Sequence, residues 1–166
     1  MNKNHKINIF LENSKWLDKK IFNSKKNINK FIYNLSHYTF KECFAQPKFR
    51  KFRKLKININ FILADDNYLK KLNRYFLNKK KPTNVLSFPN DNFLKDKDNF
   101  LGEIFLSYEM CKKEAKKSKI ENKDRMSHLI VHGTLHLLGY DHKTKTEEEK
   151  MKAIESKILN SLGINY

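Results

Sequence analysis

The chain has 166 residues and a formal net charge of +17, and 39% of its residues are hydrophobic, enough for one folded core and too many for a wholly disordered chain. No apolar run approaches the roughly 20 residues of a membrane-spanning helix, so an integral membrane protein is excluded and no membrane partner is expected. The N-terminal residues lack the apolar stretch of a secretion signal, so we expect a cytoplasmic protein.

The first part of the chain alternates between strand-like and helix-like patterns. A weak alternation predicts a strand at residues 7–11, and apolar residues spaced three to four apart predict one or two helices within 16–44. The basic segment 48–54, which has interleaved phenylalanines, is predicted to be a surface loop. Strict alternation predicts a second strand at 56–63.

A helix and two strands are predicted next. Asp65 or Asp66 can cap the helix at its start. Its predicted buried face consists of four apolar residues, Leu69, Leu72, Phe76 and Leu77. The strands are predicted at 83–89 and 101–107, with a polar loop between them at 90–99.

The last third of the chain is predicted to be helical. Helices are expected at 108–118, at 125–138 with Gly139 as the stop, and at 146–162. Thr146 and Glu149 fit a capping box for the last helix. The sum predicts an α+β fold, in which residues 1–166 form one compact domain with a small mixed sheet packed against helices.

Three histidines near the end of the most apolar predicted helix indicate a metal site. His132 and His136 are four residues apart, so both imidazoles project from one helical face. Gly139 can end the helix in a left-handed conformation, which allows His142 to turn back toward the pair. Three neutral imidazoles with an open fourth position form the ligand set of a catalytic zinc site, so one zinc ion is predicted. Nickel and copper also bind such sites.

Two neighbours of this cluster have less specific roles. His128 lies two turns before His136, and eight residues of helix span about 12 Å. We therefore expect His128 to pack beside the cluster or to contact a ligand rather than to bind the same ion. Asp141 has three alternatives: it orients a ligand, it acts as a base, or it caps the turn.

The residue after His132 argues against a protease. The three histidines have the spacing of the zinc-protease motif H-E-x-x-H-x-x-G-x-x-H, but Gly133 occupies the position of its glutamate. That glutamate is the general base of peptide hydrolysis. A metalloprotease is therefore the weakest of the enzymatic alternatives.

Four stretches of the chain together carry a family resemblance. They read LNR at 72–74, KPTNVLSFP at 81–89, LGEI at 101–104 and HLIVHGTLHLLGYDH at 128–142. On these stretches the chain resembles the YbeY family of bacterial endoribonucleases and ribosomal RNA maturation factors. The resemblance covers roughly residues 60–164, and before them only the strand–helix–strand outline fits.

The resemblance implies a function and a site. It implies a single-strand-selective, zinc-dependent endoribonuclease that acts in 3′ end maturation of the 16S-type small-subunit ribosomal RNA and in ribosome quality control. The zinc ligands would be His132, His136 and His142. Ser87 and Phe88, on the strand near the metal in that fold, would line the RNA path, with Lys81 beside them. The alternative for this strand is a place in the sheet core. Partners would be RNA and the small ribosomal subunit or its proteins, and DNA is not expected.

One position departs from the family pattern. The family usually has an arginine where this chain has Leu77, and an acidic residue where it has Lys80. Arg74, one helical turn earlier, is the candidate catalytic replacement, as are the lysines at 79–81. An ammonium does not reproduce the forked hydrogen bonds of a guanidinium.

Two classes of function therefore remain. The first is a nuclease, with Asp141 as candidate proton acceptor and Arg74 as candidate phosphate ligand. The second is a metal-stabilised ribosome-assembly factor that binds RNA or a ribosomal protein without cutting, which Leu77 favours. The net charge fits a polyanionic partner in both, although a genome biased toward A+T codons would also enrich lysine.

Overall fold

A four-stranded sheet organises the computed structural model, which describes residues 5–19, 21–164 and 166. The strand order is β1–β2–β4–β3. β1 (Lys6–Leu11) pairs in parallel with β2 (Asn58–Ala64), and β2 pairs in parallel with β4 (Phe100–Ser107). β3 (Val85–Pro89) pairs antiparallel with β4. The prediction of mixed strand directions is confirmed. Of the N-terminal segment considered for a secretion signal, residues 1–4 lie outside the described residues.

Helices cover the sheet and make up the rest of the α+β domain. The described residues form five α-helices, α1 (Lys25–Phe44), α2 (Asp66–Leu77), α3 (Tyr108–Ser118), α4 (Asn122–Leu137) and α5 (Lys145–Ser161). Short 3₁₀ helices span Ser14–Leu17 and Pro47–Lys54. Within the described residues, every helix falls short of the length and apolar content that crossing a bilayer requires.

The main core lies on the sheet face that packs against α4. Alternate residues of β2 are fully buried there, namely Ile59, Phe61 and Leu63. The helix α4 is central, since it contacts β3, β4 and the helices α1, α3 and α5. Burial of these apolar side chains fixes α4 against the two strands at the β3 edge of the sheet.

The second face of the sheet carries a smaller core under α2. Only Ile62, Ala64, Leu69, Leu86 and Phe105 are buried in it. Leu69 and Leu72 contact this core as predicted, but Phe76 and Leu77 do not belong to a buried face, because they are 55% and 50% exposed. The small core is covered by the first turns of α2, so the last turn extends beyond it. Asn73 is buried there instead, and its amide donates to the carbonyl of Lys81.

The predicted surface loop at 48–54 is wrong, because Pro47–Lys54 is a 3₁₀ helix. With three residues per turn, Phe49 and Phe52 lie on one face, and both pack against the main core. Arg53 donates to the carbonyls of Phe44 and Ala45, which are left unpaired at the end of α1.

The capping box of α5 lies two residues before the predicted one. Thr144 is the N-cap: its hydroxyl accepts from the backbone N–H of Glu147, and the Glu147 carboxylate accepts from the backbone N–H of Thr144. Thr146 and Glu149, which have the same spacing, lie within the helix. The helix begins at Lys145, directly after the turn that follows His142, so the residue in the N-cap position is Thr144 rather than Thr146.

The two threonines provide a matched test. Thr144→Ala is expected to destabilise the protein by about 1 kcal/mol, because it leaves an N–H of the first turn without a partner. Thr146→Ala should change stability by less than about 0.5 kcal/mol. Urea unfolding of both variants measures the difference, and equal effects would contradict the assignment of the cap.

Candidate metal centre

Three imidazoles converge at the end of α4. His132 and His136 lie one turn apart on the helix, and their Nε2 atoms are 3.0 Å apart. After α4, Gly139 adopts φ 84°, and the chain turns back so that the ring of His142 lies 4.9 Å from that of His136. One nitrogen of each histidine lies within 4.8 Å of the others. The predicted ligand cluster is therefore assembled.

Hydrogen bonds fix which nitrogens face the centre. The Nδ1 atom of His132 is 2.7 Å from Oε1 of Glu155, and that of His136 is 3.0 Å from the carbonyl oxygen of Tyr140. Because these oxygens are acceptors, each Nδ1 carries the hydrogen and each Nε2 presents a lone pair. Two lone pairs 3.0 Å apart repel unless a cation lies between them. The donor set thus fits a metal ion.

The electrostatics of His136 suit a ligand. Burial lowers the pKa of His136, and the neighbouring His132 and His142 lower it further. The imidazole is therefore held in its neutral form, which is the form that binds a metal.

Glu155 is the residue of the centre that sequence reasoning missed. It belongs to α5 and is only 4% exposed, on the same stripe as Met151, Ile154, Ile158 and Leu159. A carboxylate within a hydrophobic stripe was the available sequence signal, since buried glutamates need a partner. Its partner is His132, whose ring it orients.

The charge state of Glu155 makes the stability of the metal-free protein depend on pH. Burial of the carboxyl opposes its ionisation, but hydrogen bonds with His128 and His132 outweigh burial and lower its pKa to about 2. A folded-state pKa below the unfolded value of about 4.3 means that ionised Glu155 stabilises the fold above that pH. This contribution is lost as the pH falls toward 2.

Urea unfolding at pH 6 and pH 3 tests this linkage. We expect metal-free wild-type protein to lose about 2 kcal/mol more between these pH values than the variant Glu155→Gln, which has no carboxyl to titrate. All other carboxylates titrate in both proteins, so the difference reports on Glu155 together with the two histidines that it contacts. Equal losses would show that the carboxylate is not stabilised by its histidine partners.

His128 contacts Glu155 from the other side and belongs to a second polar group. The Arg125 guanidinium donates to Nδ1 of His128 over 2.8 Å. Since a guanidinium only donates, the hydrogen of neutral His128 lies on Nε2, which is 3.6 Å from the Glu155 carboxylate. His128, His132 and Glu155 are close enough to form a ligand group of their own, but this tautomer leaves His128 no lone pair toward it. His128 therefore lies beside the cluster, as predicted.

Gly133 faces the sheet rather than the histidine cluster. A Cβ atom at this position would lie 2.9 Å from Oγ of Ser87 and 3.0 Å from Cγ2 of Ile104. A glutamate at this point of α4 would be forced against β3 and β4, away from the Nε2 atoms. The position is therefore closed to a protease-type general base on steric grounds.

A basic cleft of about 1040 Å³ leads to the three histidines. One wall is formed by β3 and the loop before it, and the other by the turn after α4. The lining includes four lysines, Lys79, Lys80, Lys81 and Lys143. Such a wall favours a polyanionic ligand.

The predicted RNA-binding residues are divided between two places. Lys81 and Ser87 line the cleft, although the Ser87 hydroxyl oxygen is buried against Gly133 and has no hydrogen-bond partner among the described residues. Phe88 points to the other face of the sheet, where its ring contacts those of Phe76 and Phe105. Adjacent strand residues face opposite sides, so β3 cannot present both side chains to the cleft.

The two predicted catalytic residues also differ in position. Asp141 lines the cleft, accepts from the backbone N–H of His142 and pairs with Lys143 at 2.8 Å. The hydrogen bond from Lys143 lowers the pKa of Asp141, so the carboxylate is ionised. Arg74 is exposed on α2 and is not among the cleft-lining residues of the described chain, whereas Asn73 and Leu77 are. Both catalytic roles stay predictions.

Comparison with known proteins identifies the family. The model of the family described as Endoribonuclease YbeY matches residues 17–163. The chain belongs to the YbeY family. The match begins before α1, so it covers more of the chain than the four stretches that carry the sequence resemblance. It also includes the three histidines, Gly133 and Glu155.

Individual YbeY proteins are similar over most of their length. The chain is 41% identical over 149 residues to the endoribonuclease YbeY of a Drosophila simulans Wolbachia strain, which covers 90% of this chain and 93% of that protein. It is 40% identical over 116 residues to the endoribonuclease YbeY of Buchnera aphidicola from Schizaphis graminum. This match covers 69% of this chain and 72% of that protein.

A solved structure supports the fold. The solution structure of a Thermotoga maritima protein superposes with a TM-score of 0.55, covering 94% of this chain and 91% of that one. The two sequences are 24% identical, so this likeness concerns the architecture alone.

Proposed function

We propose that the protein is a metal-dependent endoribonuclease that hydrolyses single-stranded RNA in the cleft. The observation that carries the proposal is the convergence of His132, His136 and His142 at the end of a lysine-lined cleft, in a chain of the YbeY family. The relatives are named endoribonucleases. Their name specifies RNA as the substrate, and the lysines of the cleft suit a polyanion such as RNA.

Different residues of the cleft have different roles in the proposed phosphodiester hydrolysis. The neutral imidazoles of His132, His136 and His142 would hold the ion, and the Glu155 carboxylate keeps the His132 ring in place. When bound, the ion supplies a Lewis acid for a phosphoryl oxygen and lowers the pKa of water. The lysines at 79–81 and Lys143 would neutralise phosphate charge, and ionised Asp141 would accept the proton that the attacking water loses. Zinc is the proposed ion, because three imidazoles with an open position suit its tetrahedral coordination.

The cellular role follows from the family resemblance. We infer a cytoplasmic protein that acts in 3′ end maturation of 16S-type ribosomal RNA and in ribosome quality control. Its partners would be ribosomal RNA and the small ribosomal subunit or its proteins. The lysines at 79–81 line the cleft together with Leu77, whereas Arg74 does not line it. In this role the lysines are therefore better placed than Arg74 to contact the phosphate that the family arginine would contact.

One observation favours a second candidate function. Leu77 lines the cleft where the family resemblance leads us to expect an arginine. An apolar side chain cannot stabilise charge on a phosphate in the transition state. The second candidate is therefore a metal-stabilised assembly factor that binds RNA or a ribosomal protein without cutting it.

Metal removal and reloading separates the two candidates. Elemental analysis of the purified protein identifies the bound metal, and cleavage of a single-stranded RNA is compared with cleavage of its duplex before chelation, after chelation and after reloading with zinc. We expect cleavage of the single strand, its loss on chelation and its return with zinc. RNA binding without cleavage in the zinc-loaded protein would favour the assembly factor. Casein proteolysis abolished by chelation would revive the protease alternative.

A further inference from the structure

The C-terminal end of α2 exposes three consecutive large apolar side chains. Tyr75 is 83% exposed, Phe76 55% and Leu77 50%. Single exposed apolar residues are common on protein surfaces, but a contiguous group marks an interaction site. Since none of the three is buried in a core, folding alone does not account for them.

The exposed rings continue inward as a connected row. The ring centroids of Tyr75 and Phe76 are 4.9 Å apart, those of Phe76 and Phe88 also 4.9 Å, and those of Phe88 and Phe105 5.6 Å. Phe105 is buried in the sheet, so the inner end of the row is fixed and its outer end is open. The row therefore presents aromatic surface on a rigid support.

This aromatic surface, formed by Tyr75 and Phe76 and supported by Phe88, adjoins the metal cleft. Leu77, directly after Phe76, lines the cleft, and so do the lysines at 79–81. The histidines lie on the α4 face of the sheet and Phe88 on the α2 face, and the cleft reaches the α2 side at Asn73 and Leu77. The aromatic surface and the cleft lining are therefore consecutive along the last turn of α2.

The surrounding charge selects the kind of ligand. Residues 67–90 contain no acidic residue and six basic ones, Lys70, Lys71, Arg74, Lys79, Lys80 and Lys81. An acidic neighbour in space is Glu103, opposite Phe88 in the β3–β4 register, and its carboxylate accepts from the Asn60 amide. Exposed rings beside an excess of cations match a ligand that has both flat apolar faces and negative charge. Single-stranded nucleic acid has both, because its bases are unpaired and its backbone carries phosphates.

We propose that Tyr75 and Phe76 form a base-stacking site for unpaired nucleotides of an RNA strand whose neighbouring phosphates lie in the cleft. The proposal rests on the proposed function, in which RNA is the ligand of the cleft. A duplex cannot use this site, since its bases are stacked on each other and their faces are covered. The aromatic surface thereby contributes to single-strand selectivity at a distance from the metal ligands.

RNA binding by the metal-free full-length protein tests the site without cleavage. The probes are a 12-nucleotide oligouridylate, the same strand with abasic nucleotides, and an RNA duplex, and the variant is Tyr75→Ala/Phe76→Ala. We expect the variant to bind oligouridylate about 10-fold more weakly, with the salt dependence of binding unchanged because no cation is removed. Duplex binding should not change. Wild-type protein should prefer oligouridylate to the abasic strand, and the variant should not.

Two matched proteins complete the test. Phe10→Ala removes an exposed ring from β1, at the other edge of the sheet, and should bind all three probes like wild type. Tyr75→Trp/Phe76→Trp keeps the aromatic surface and should retain the preference for intact bases. Thermal unfolding shows that each variant is folded.

The outcomes separate this inference from the proposed function. If wild type binds oligouridylate and the alanine variant binds it equally well, the stacking site is wrong, the proposed function stands, and the rings instead fit a protein partner. If neither metal-free nor zinc-loaded wild-type protein binds single-stranded RNA, both proposals are overturned. A variant that loses duplex affinity to the same extent would also contradict stacking, because the lost contact would not depend on unpaired bases.

Discussion

Replacing His136 with alanine is expected to abolish metal binding by the three-histidine cluster and to lower RNA cleavage at least about 1000-fold. His136 contacts both other ligands: its Nε2 lies 3.0 Å from that of His132, and its ring centroid is 4.6 Å from that of His132 and 4.9 Å from that of His142. The two remaining imidazoles, one of them exposed, form an incomplete ligand set. Elemental analysis and initial cleavage rates on single-stranded RNA measure both effects.

RNA binding provides the internal control for this variant. The cleft lysines are untouched, so the affinity for single-stranded RNA should stay within about 3-fold of wild type. His37→Ala, on α1 and outside the cluster, should retain both metal and activity. Cleavage by His136→Ala at the wild-type rate would refute the nuclease proposal, whereas loss of RNA affinity together with cleavage would point to a damaged cleft.

The variant Gly133→Glu would have the sequence of the zinc-protease motif. We expect it to lose more than about 3 kcal/mol of stability and to gain no proteolytic activity. Its side chain would meet Ser87 and Ile104 at the Cβ atom already, and its carboxylate would be buried against β3 and β4 without a partner. The free energy of urea unfolding measures the loss of stability.

A second glutamate on the same helix controls for charge and helix propensity. Lys123 is exposed in the first turn of α4, where its ammonium lies 5.1 Å from the centroid of the Phe22 ring. Lys123→Glu should change stability by less than about 1 kcal/mol, because acidic side chains are favoured at helix N-termini and only this cation–π contact is lost. If Gly133→Glu were as stable as this control, Gly133 would not be the close contact between α4 and the sheet.

The histidine cluster could be predicted because its geometry is local. An i, i+4 pair followed by a glycine and a third histidine places all three ligands within one helix end and one turn. The alternation of β2 and the Asp65 cap of α2 are local in the same way, and the strands formed close to their predicted bounds.

Contacts between distant segments set the limit of sequence reasoning. Glu155 lies 23 residues after His132, and only the packing of α5 on α4 joins them. The apolar pattern of α2 predicts a longer buried face than the sheet provides, because the pattern does not show how small the sheet face beneath the helix is. Phe76 and Leu77 therefore lie beyond the core in which they are predicted. Likewise, the register of β3 against α4 decides that Ser87 rather than Phe88 faces the cleft.

The order of elements along the chain separates assembly of the sheet from assembly of the metal centre. All four strands are complete by Ser107, whereas the third ligand is His142 and the carboxylate that orients His132 is Glu155. During synthesis from the N-terminus, the strands are therefore available to pair before a full ligand set exists. A product that ends between residues 108 and 141 would therefore retain the four described strands but lack His142 and Glu155.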